Sequence, residues 1–154
     1  MRISLFDTLA RPLLREDAEA DFFVNMTHIQ LHRRTRAMVR VRHTLSSKRS
    51  SSDPELLDEP SLGITAEQFS QSSLSQILIP MCWAPLTSDE YQKKEQQGYV
   101  AECVALLGVV CEHLSWSHYY RTIRGVLRKL DNVTPDSERI LLSTLVATVE
   151  GFHF

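Results

Sequence analysis

Little in this chain could start a chemical argument, and each shortage excludes something. Its five glycines stand apart, so there is no Gly-rich loop to cradle a phosphate. Its three cysteines, Cys82, Cys103 and Cys111, are an odd set without the short Cys-x-x-Cys spacing of a zinc site. They suggest no disulfide framework, and a reducing compartment, cytosol or nucleus, is the simpler expectation. Cys103 and Cys111 lie on or beside an apolar stripe and read as small buried hydrophobes. Apolar runs such as Val104–Cys111 fall far short of the roughly 20 residues a membrane-spanning helix needs. The first residues, Met1 to Asp7, contain an acid and no continuous apolar core, which reads against a signal peptide. His28 and His32 are spaced for one helix face, yet Ile29 stands where a zinc protease requires Glu. Cys111 and His113, two apart on a helix, face different ways and make a poor nucleophile pair. These shortages point away from an enzyme, a bound metal, a cofactor, a small-molecule substrate or a membrane.

One local absence is more informative. Between Phe22 and Ser52 there is no acidic residue, and seven arginines or lysines crowd into Arg33–Arg49, although the whole chain has a formal net charge of -2. On a helix, Arg33, Arg36 and Arg40 lie three and four apart, off the apolar stripe, and are expected to point into solvent together. With Arg34 and Arg42 they form the candidate site, a surface for RNA backbone or for an acidic protein. A solvated basic face turned towards an acidic linker is the bland alternative. Arg124, Arg128 and Lys129 make a second, weaker patch, partly balanced by Asp131. Trp116, Tyr119 and Tyr120 read either as a platform for stacked bases or as a wedge between helices.

With 154 residues, 43% of them hydrophobic and 23% charged, the chain is one domain's worth and rich enough in apolar side chains for a core. Period-two alternation never persists, and helical spacing dominates. Five helical segments are expected. The first covers Ile3–Leu14, with Pro12 near its end. The second runs from about Ala18 to Leu45 on a heptad stripe of Val24, Leu31, Met38 and Leu45. A Ser-rich, acidic linker from Ser46 to Gly63 separates residues 1–45 from a helical part spanning 64–154. Thr65-Ala-Glu-Gln68 has capping-box form and should start the third helix, which ends or kinks at Pro80. Ser88-Asp-Glu should cap the fourth, whose stripe is Val100, Cys103, Leu107, Val110 and Leu114. After a break at Ser115-Trp-Ser117 come Tyr120, Ile123, Leu127 and Leu130. Thr134-Pro-Asp then opens a last stretch bearing Ile140, Leu141, Leu145 and Val149. Helices of this length in antiparallel pairs fit a HEAT-like solenoid, with a compact helical bundle as the alternative.

Three stretches resemble one family. They are Asp21-Phe-Phe-Val-Asn-Met-Thr-His-Ile-Gln-Leu-His-Arg-Arg-Thr-Arg-Ala37, the Ile79-Pro80 pair with the apolar turn after it, and His113-Leu-Ser-Trp-Ser-His-Tyr119 with the closing Gly151-Phe-His-Phe154. Together they are similar to a central part of the large HEAT-repeat component of the small-subunit processome, the "down-regulated in metastasis" family. The likeness covers most of residues 21–154 and lapses in the linker. It implies a fragment of a longer, nucleolar, armadillo-like helical scaffold in precursor ribosomal RNA processing. Its expected partners are pre-ribosomal RNA and processome proteins, and it implies no catalytic residue and no cofactor. Docking to protein alone, through apolar edges near Phe6 and Phe152, is the rival expectation.

Overall fold

The computed structural model describes residues 5–46, 65–91 and 93–152, and every regular element among them is helical. Nearly all of the Ser46–Gly63 linker, with Lys48 and Arg49, lies outside the described residues, as does Phe154. The helices are α1 (Leu5–Ala10), α2 (Phe22–Met26), α3 (Leu31–Ser46), α4 (Gln71–Ser73), α5 (Ile79–Thr87), α6 (Gln97–Glu112), α7 (Trp116–Leu130) and α8 (Pro135–Glu150). The all-α class expected from the sequence is therefore found, with more and shorter pieces than five.

Local chemistry explains where the pieces break. The expected 18–45 helix is two, because four side chains bond the backbone around the points where the ladder starts and stops. Asp21 caps α2 by accepting the Val24 N–H at 2.9 Å, while the Asn25 amide donates back to Asp21 O at 2.7 Å. Thr27 Oγ1 then donates to Phe23 O, and His28 Nδ1 accepts the Gln30 N–H at 3.1 Å, which turns the chain into α3. Val24 is consequently exposed, whereas Met38 and Leu45 of the same heptad stripe are buried. The capping box at Thr65 is not formed. Thr65 makes no capping bond, and a short 3₁₀ turn, Ala66–Gln68, precedes Ser70, whose hydroxyl accepts the Ser73 N–H at 3.0 Å. Pro80 neither ends nor sharply breaks the following helix. A π turn over Leu74–Leu78 joins α4 to α5, with the Ile79 N–H reaching Leu74 O, so the ladder widens just before the ring that would clash with it. Ser88 opens only a 3₁₀ turn, Asp89–Tyr91; a second, Lys94–Gln96, leads into α6, so the fourth long helix starts later than its acids suggest.

α6 is the centre of the fold and packs against α3, α5 and α8. Of its expected stripe, Val100, Cys103, Leu107 and Val110 are buried, together with Leu106 and Cys111, whereas Leu114 lies past the helix end and is half-buried. The buried residues Val100, Cys103, Leu106, Leu107 and Val110 share a core with Met38, Val41 and Leu45 of α3, with Leu74 and Leu78, and with Cys82 and Leu86 of α5. The α6–α8 crossing is close because of small residues. A Cβ added at Gly108 would sit 3.1 Å from Ala147 O, and one at Gly151 would overlap the Gly108 carbonyl. The buried face of α8 carries Leu141, Thr144 and Thr148 rather than Val149, which is exposed. Both threonines are satisfied by their own helix, donating to Ile140 O and Thr144 O at 2.8 and 2.7 Å. α7 rests chiefly on α8, and this turns its buried line onto Tyr119 and Val126. Tyr120 and Leu127, expected inside, are exposed.

Candidate binding surfaces

Three of the five arginines of α3 and all three of α7 follow the same three-then-four spacing, and their surroundings differ. On α3, Arg33 lies 3.8 Å from the Glu19 carboxylate. Arg40 donates through Nη1 to the Glu19 carbonyl, and its Nε is buried without a partner. Arg36 remains exposed. Arg34 and Arg42 do not join this face. Arg34 donates to His28 O at 2.7 Å and to the Tyr91 hydroxyl at 3.0 Å, tying the start of α3 to the turn before α6. Arg42 makes a two-pronged ion pair with Glu102 of α6, donating through both Nε and Nη2. The expectation that Arg33, Arg36 and Arg40 all stand in solvent is thus corrected. Glu19, on the lead-in to α2, reaches two of them.

The end of α3 is fixed by a second polar junction. His113 Nε2 meets Leu45 O at 2.9 Å, Gln71 donates to His113 O at 2.6 Å, and Gln71 Oε1 accepts the Ser115 N–H at 2.7 Å. One glutamine and one histidine thereby bind α3, α4 and the α6–α7 turn. Cys111 points elsewhere, to Thr148. Burial raises the Cys111 and Cys103 thiols to about 12, and Cys82 is also raised by burial and by the neighbouring cysteines. All three are free and buried, which suits packing and not nucleophilic work.

On α7, Arg121, Arg124 and Arg128 are exposed, as is Lys129. None of the four makes an ion pair among the described residues. At the start of α7 the aromatic cluster divides in function. Tyr119 is buried, with its ring 4.6 Å from that of the half-buried Phe152. Trp116 lies nearly parallel to Tyr119 and Tyr120 at centroid distances of 6.0 and 5.7 Å, yet is 62% exposed. The Arg124 guanidinium sits 5.5 Å from the Tyr120 ring centre. Arg121 was missed by the sequence reading of this patch. The signal was available: Trp116–Leu130 contains no acidic residue, and 121, 124 and 128 share a face.

α8 leaves a different surface open. Leu142, Val146 and Val149, at i, i+4 and i+7, are each about half exposed and form an apolar line along the outside of the α7–α8 pair. A groove of about 650 Å³ between α6 and α8, lined by Tyr91, Val100, Val104, Arg139, Ile140 and Ser143, runs beside it.

Helices packed on one another, with a further apolar helix face outward, define an all-α protein of HEAT-like helical-repeat or bundle form. The chain is similar to U3 small nucleolar RNA-associated protein 20 of Saccharomyces cerevisiae (strain ATCC 204508 / S288c), 32% identical over 125 residues, which are 81% of this chain. It is also similar to the protein of that name from Schizosaccharomyces pombe (strain 972 / ATCC 24843), 28% identical over 144 residues, or 93% of this chain. The chain spans only 4% and 5% of the length of these two relatives. The family resemblance read from the three motifs is thereby shown: over most of its length, the chain corresponds to one short segment of that much larger protein. No protein-family model matches it.

Proposed function

We propose that this chain is a helical segment of a non-catalytic scaffold acting in precursor ribosomal RNA processing and small ribosomal subunit biogenesis, within a nucleolar pre-ribosomal particle. The observation that carries this reading is its relationship, over four-fifths of its residues or more, to proteins named for association with U3 small nucleolar RNA. The architecture supports it. In a helical-repeat array each pair buries its apolar face on the next, and the open Leu142–Val146–Val149 line of α8 is the kind of seam a following pair covers. Of the five α3 arginines put forward for partner binding, Arg36 and the half-exposed Arg33 keep that role in our reading; Arg34, Arg40 and Arg42 are occupied within the fold. A protein-only adaptor is the second reading, and the same exposed α8 line favours it.

Gradient sedimentation of the tagged natural gene product tests the proposal. It should migrate in a large particle with precursor ribosomal RNA and U3 small nucleolar RNA in the same fractions. Sedimentation as a free small protein, without either RNA, would overturn it.

A further inference from the structure

We infer that α7 is a single-stranded RNA-binding face, with phosphates held along Arg121, Arg124 and Arg128 and an unpaired base stacked against the Trp116–Tyr120 pair. For its ligand this deepens the reading of the chain as part of an RNA-processing particle; its geometry stands separately.

The three arginines occupy one stripe over roughly 10 Å of helix axis. That stripe lies opposite the buried Tyr119 and Val126, so it faces directly away from α8. Over Trp116–Leu130 no acidic residue tempers them, and none is held in an ion pair among the described residues. This is the opposite of α3, where Glu19 and Glu102 engage their arginines. A guanidinium stays charged at any relevant pH and offers a fork of donors that fits phosphate oxygens.

Charge alone would serve an acidic peptide equally well. The aromatic end of the helix decides for RNA. Trp116 is held against Tyr119 and Tyr120 while most of its surface stays in water, and Phe152 supports it from α8's end at 5.6 Å. A packed, pre-oriented and exposed indole next to free arginines is the pairing that single-stranded nucleic-acid sites use, with a ring for the base and cations for the backbone. Arg124, over the Tyr120 ring, joins the two halves of the surface. On the other side of Arg121 a groove of about 330 Å³ opens between α5 and α7, with Trp83, Pro80 and His118 in its walls, and continues the strip. A duplex keeps its bases stacked inside and offers nothing for Trp116, so the ligand is unpaired.

The test uses the full 154-residue chain and a fluorescein-labelled oligouridine, read by anisotropy over a salt series. Each phosphate contact on a single strand contributes about 0.7 to the log–log salt slope, so replacing Arg121, Arg124 and Arg128 together by Gln should lower it by about 2. Trp116→Ala should weaken binding about tenfold with little change in slope. Lys93→Gln with Lys94→Gln, exposed cations before α6, should leave the slope as it was. A slope unmoved by the α7 triple change overturns the inference. So does displacement by polyglutamate at the same charge concentration, which would assign the face to an acidic protein. Co-sedimentation of the natural gene product separates this from the proposed function. Oligouridine binding that ignores α7, beside intact particle association, refutes the α7 assignment alone. Binding that depends on α7, beside a free small protein in the gradient, upholds the assignment and refutes the particle.

Discussion

α3 and α7 are nearly the same length, and three of α3's five arginines repeat the three-then-four offsets of α7's three, but only α7 leaves its whole set exposed. α3 lies between the lead-in to α2, which brings Glu19, and α6, which brings Glu102. Arg34, Arg40 and Arg42 became struts of the fold. α7 touches chiefly α8, and among the described residues no acid pairs with the arginines of its outer face. Spacing decides which side chains share a face; the neighbours decide whether that face is open. Composition is a poor guide to this. Of the chain's densest basic block, the described arginines other than Arg36 are half-buried and engaged by neighbours, while the sparser set on α7 is exposed.

The comparison depends first on α7–α8 being firmly seated, and glycine makes that seat. Gly151→Ala would drive a methyl into the Gly108 carbonyl, a backbone atom that cannot swing aside. We expect a loss of about 2–3 kcal/mol, as for other overpacked sites, read as a lower denaturant midpoint. Gly125, in the middle of α7, is the control. A Cβ there meets nothing within 4 Å, and Gly125→Ala should stabilise the chain by roughly 0.5–1 kcal/mol through the better helix former. If both changes cost the same, the α6–α8 crossing is looser than drawn here.

The core side of the comparison has a pH signature of its own. Burial raises Cys103 and Cys111 to about 12, above the usual thiol range near 8.5–9. Below pH 8 both thiols are neutral, folded or not, and their packing contributes fully. Between pH 9 and 12 the unfolded chain ionises them while the folded chain does not. The unfolded state then binds fewer protons, and stability falls as pH rises. By pH 10 the loss should be about 1–2 kcal/mol for each thiol. Denaturation midpoints at pH 8 and pH 10 check this, and the Cys103→Ala, Cys111→Ala double variant should show a clearly smaller difference. An equal difference in that variant would place the titration elsewhere.

Much of this was legible in the sequence, and the failures have physical causes. The all-α class followed from spacing, and the α6 stripe was read correctly because one helix packed on three sides buries nearly every apolar position. Pattern reading failed where a helix has only one neighbour. On α7 the 3-4-3 line through Tyr120 and Leu127 is the more hydrophobic one, yet contact with α8 selected Tyr119 and Val126. On α8 the buried residues are Thr144 and Thr148, which look like surface residues until their hydroxyls are seen bonding the preceding turn. The break at Thr27–Gln30 was hidden because polar side chains, not Pro or Gly, make it. Of the candidate site, the sequence grouped five α3 arginines on one surface, but Arg34 and Arg42 leave it, and the residues that engage Arg40 and Arg42, Glu19 and Glu102, lie 21 and 60 residues away in the chain. No local pattern carries that information.

The smallest effects test the contrast most directly. Arg42 pairs with Glu102, whose side chain is only 14% exposed, so Arg42→Met would leave a carboxylate with little water and no partner. That should cost about 1–2 kcal/mol. Adding Glu102→Leu should recover most of the loss, because an apolar pair of similar size has no charge to desolvate. Arg121→Met removes the same cation at the same kind of helical position, but no partner is stranded and no packing is lost. Its effect on stability should stay within about 0.5 kcal/mol. Chemical denaturation of these three variants distinguishes the alternatives. Comparable losses for Arg42 and Arg121 would mean that α7's arginines also hold the fold together. A loss confined to Arg42 leaves Arg121 as a residue the fold does not need, and therefore one whose exposure is available for binding.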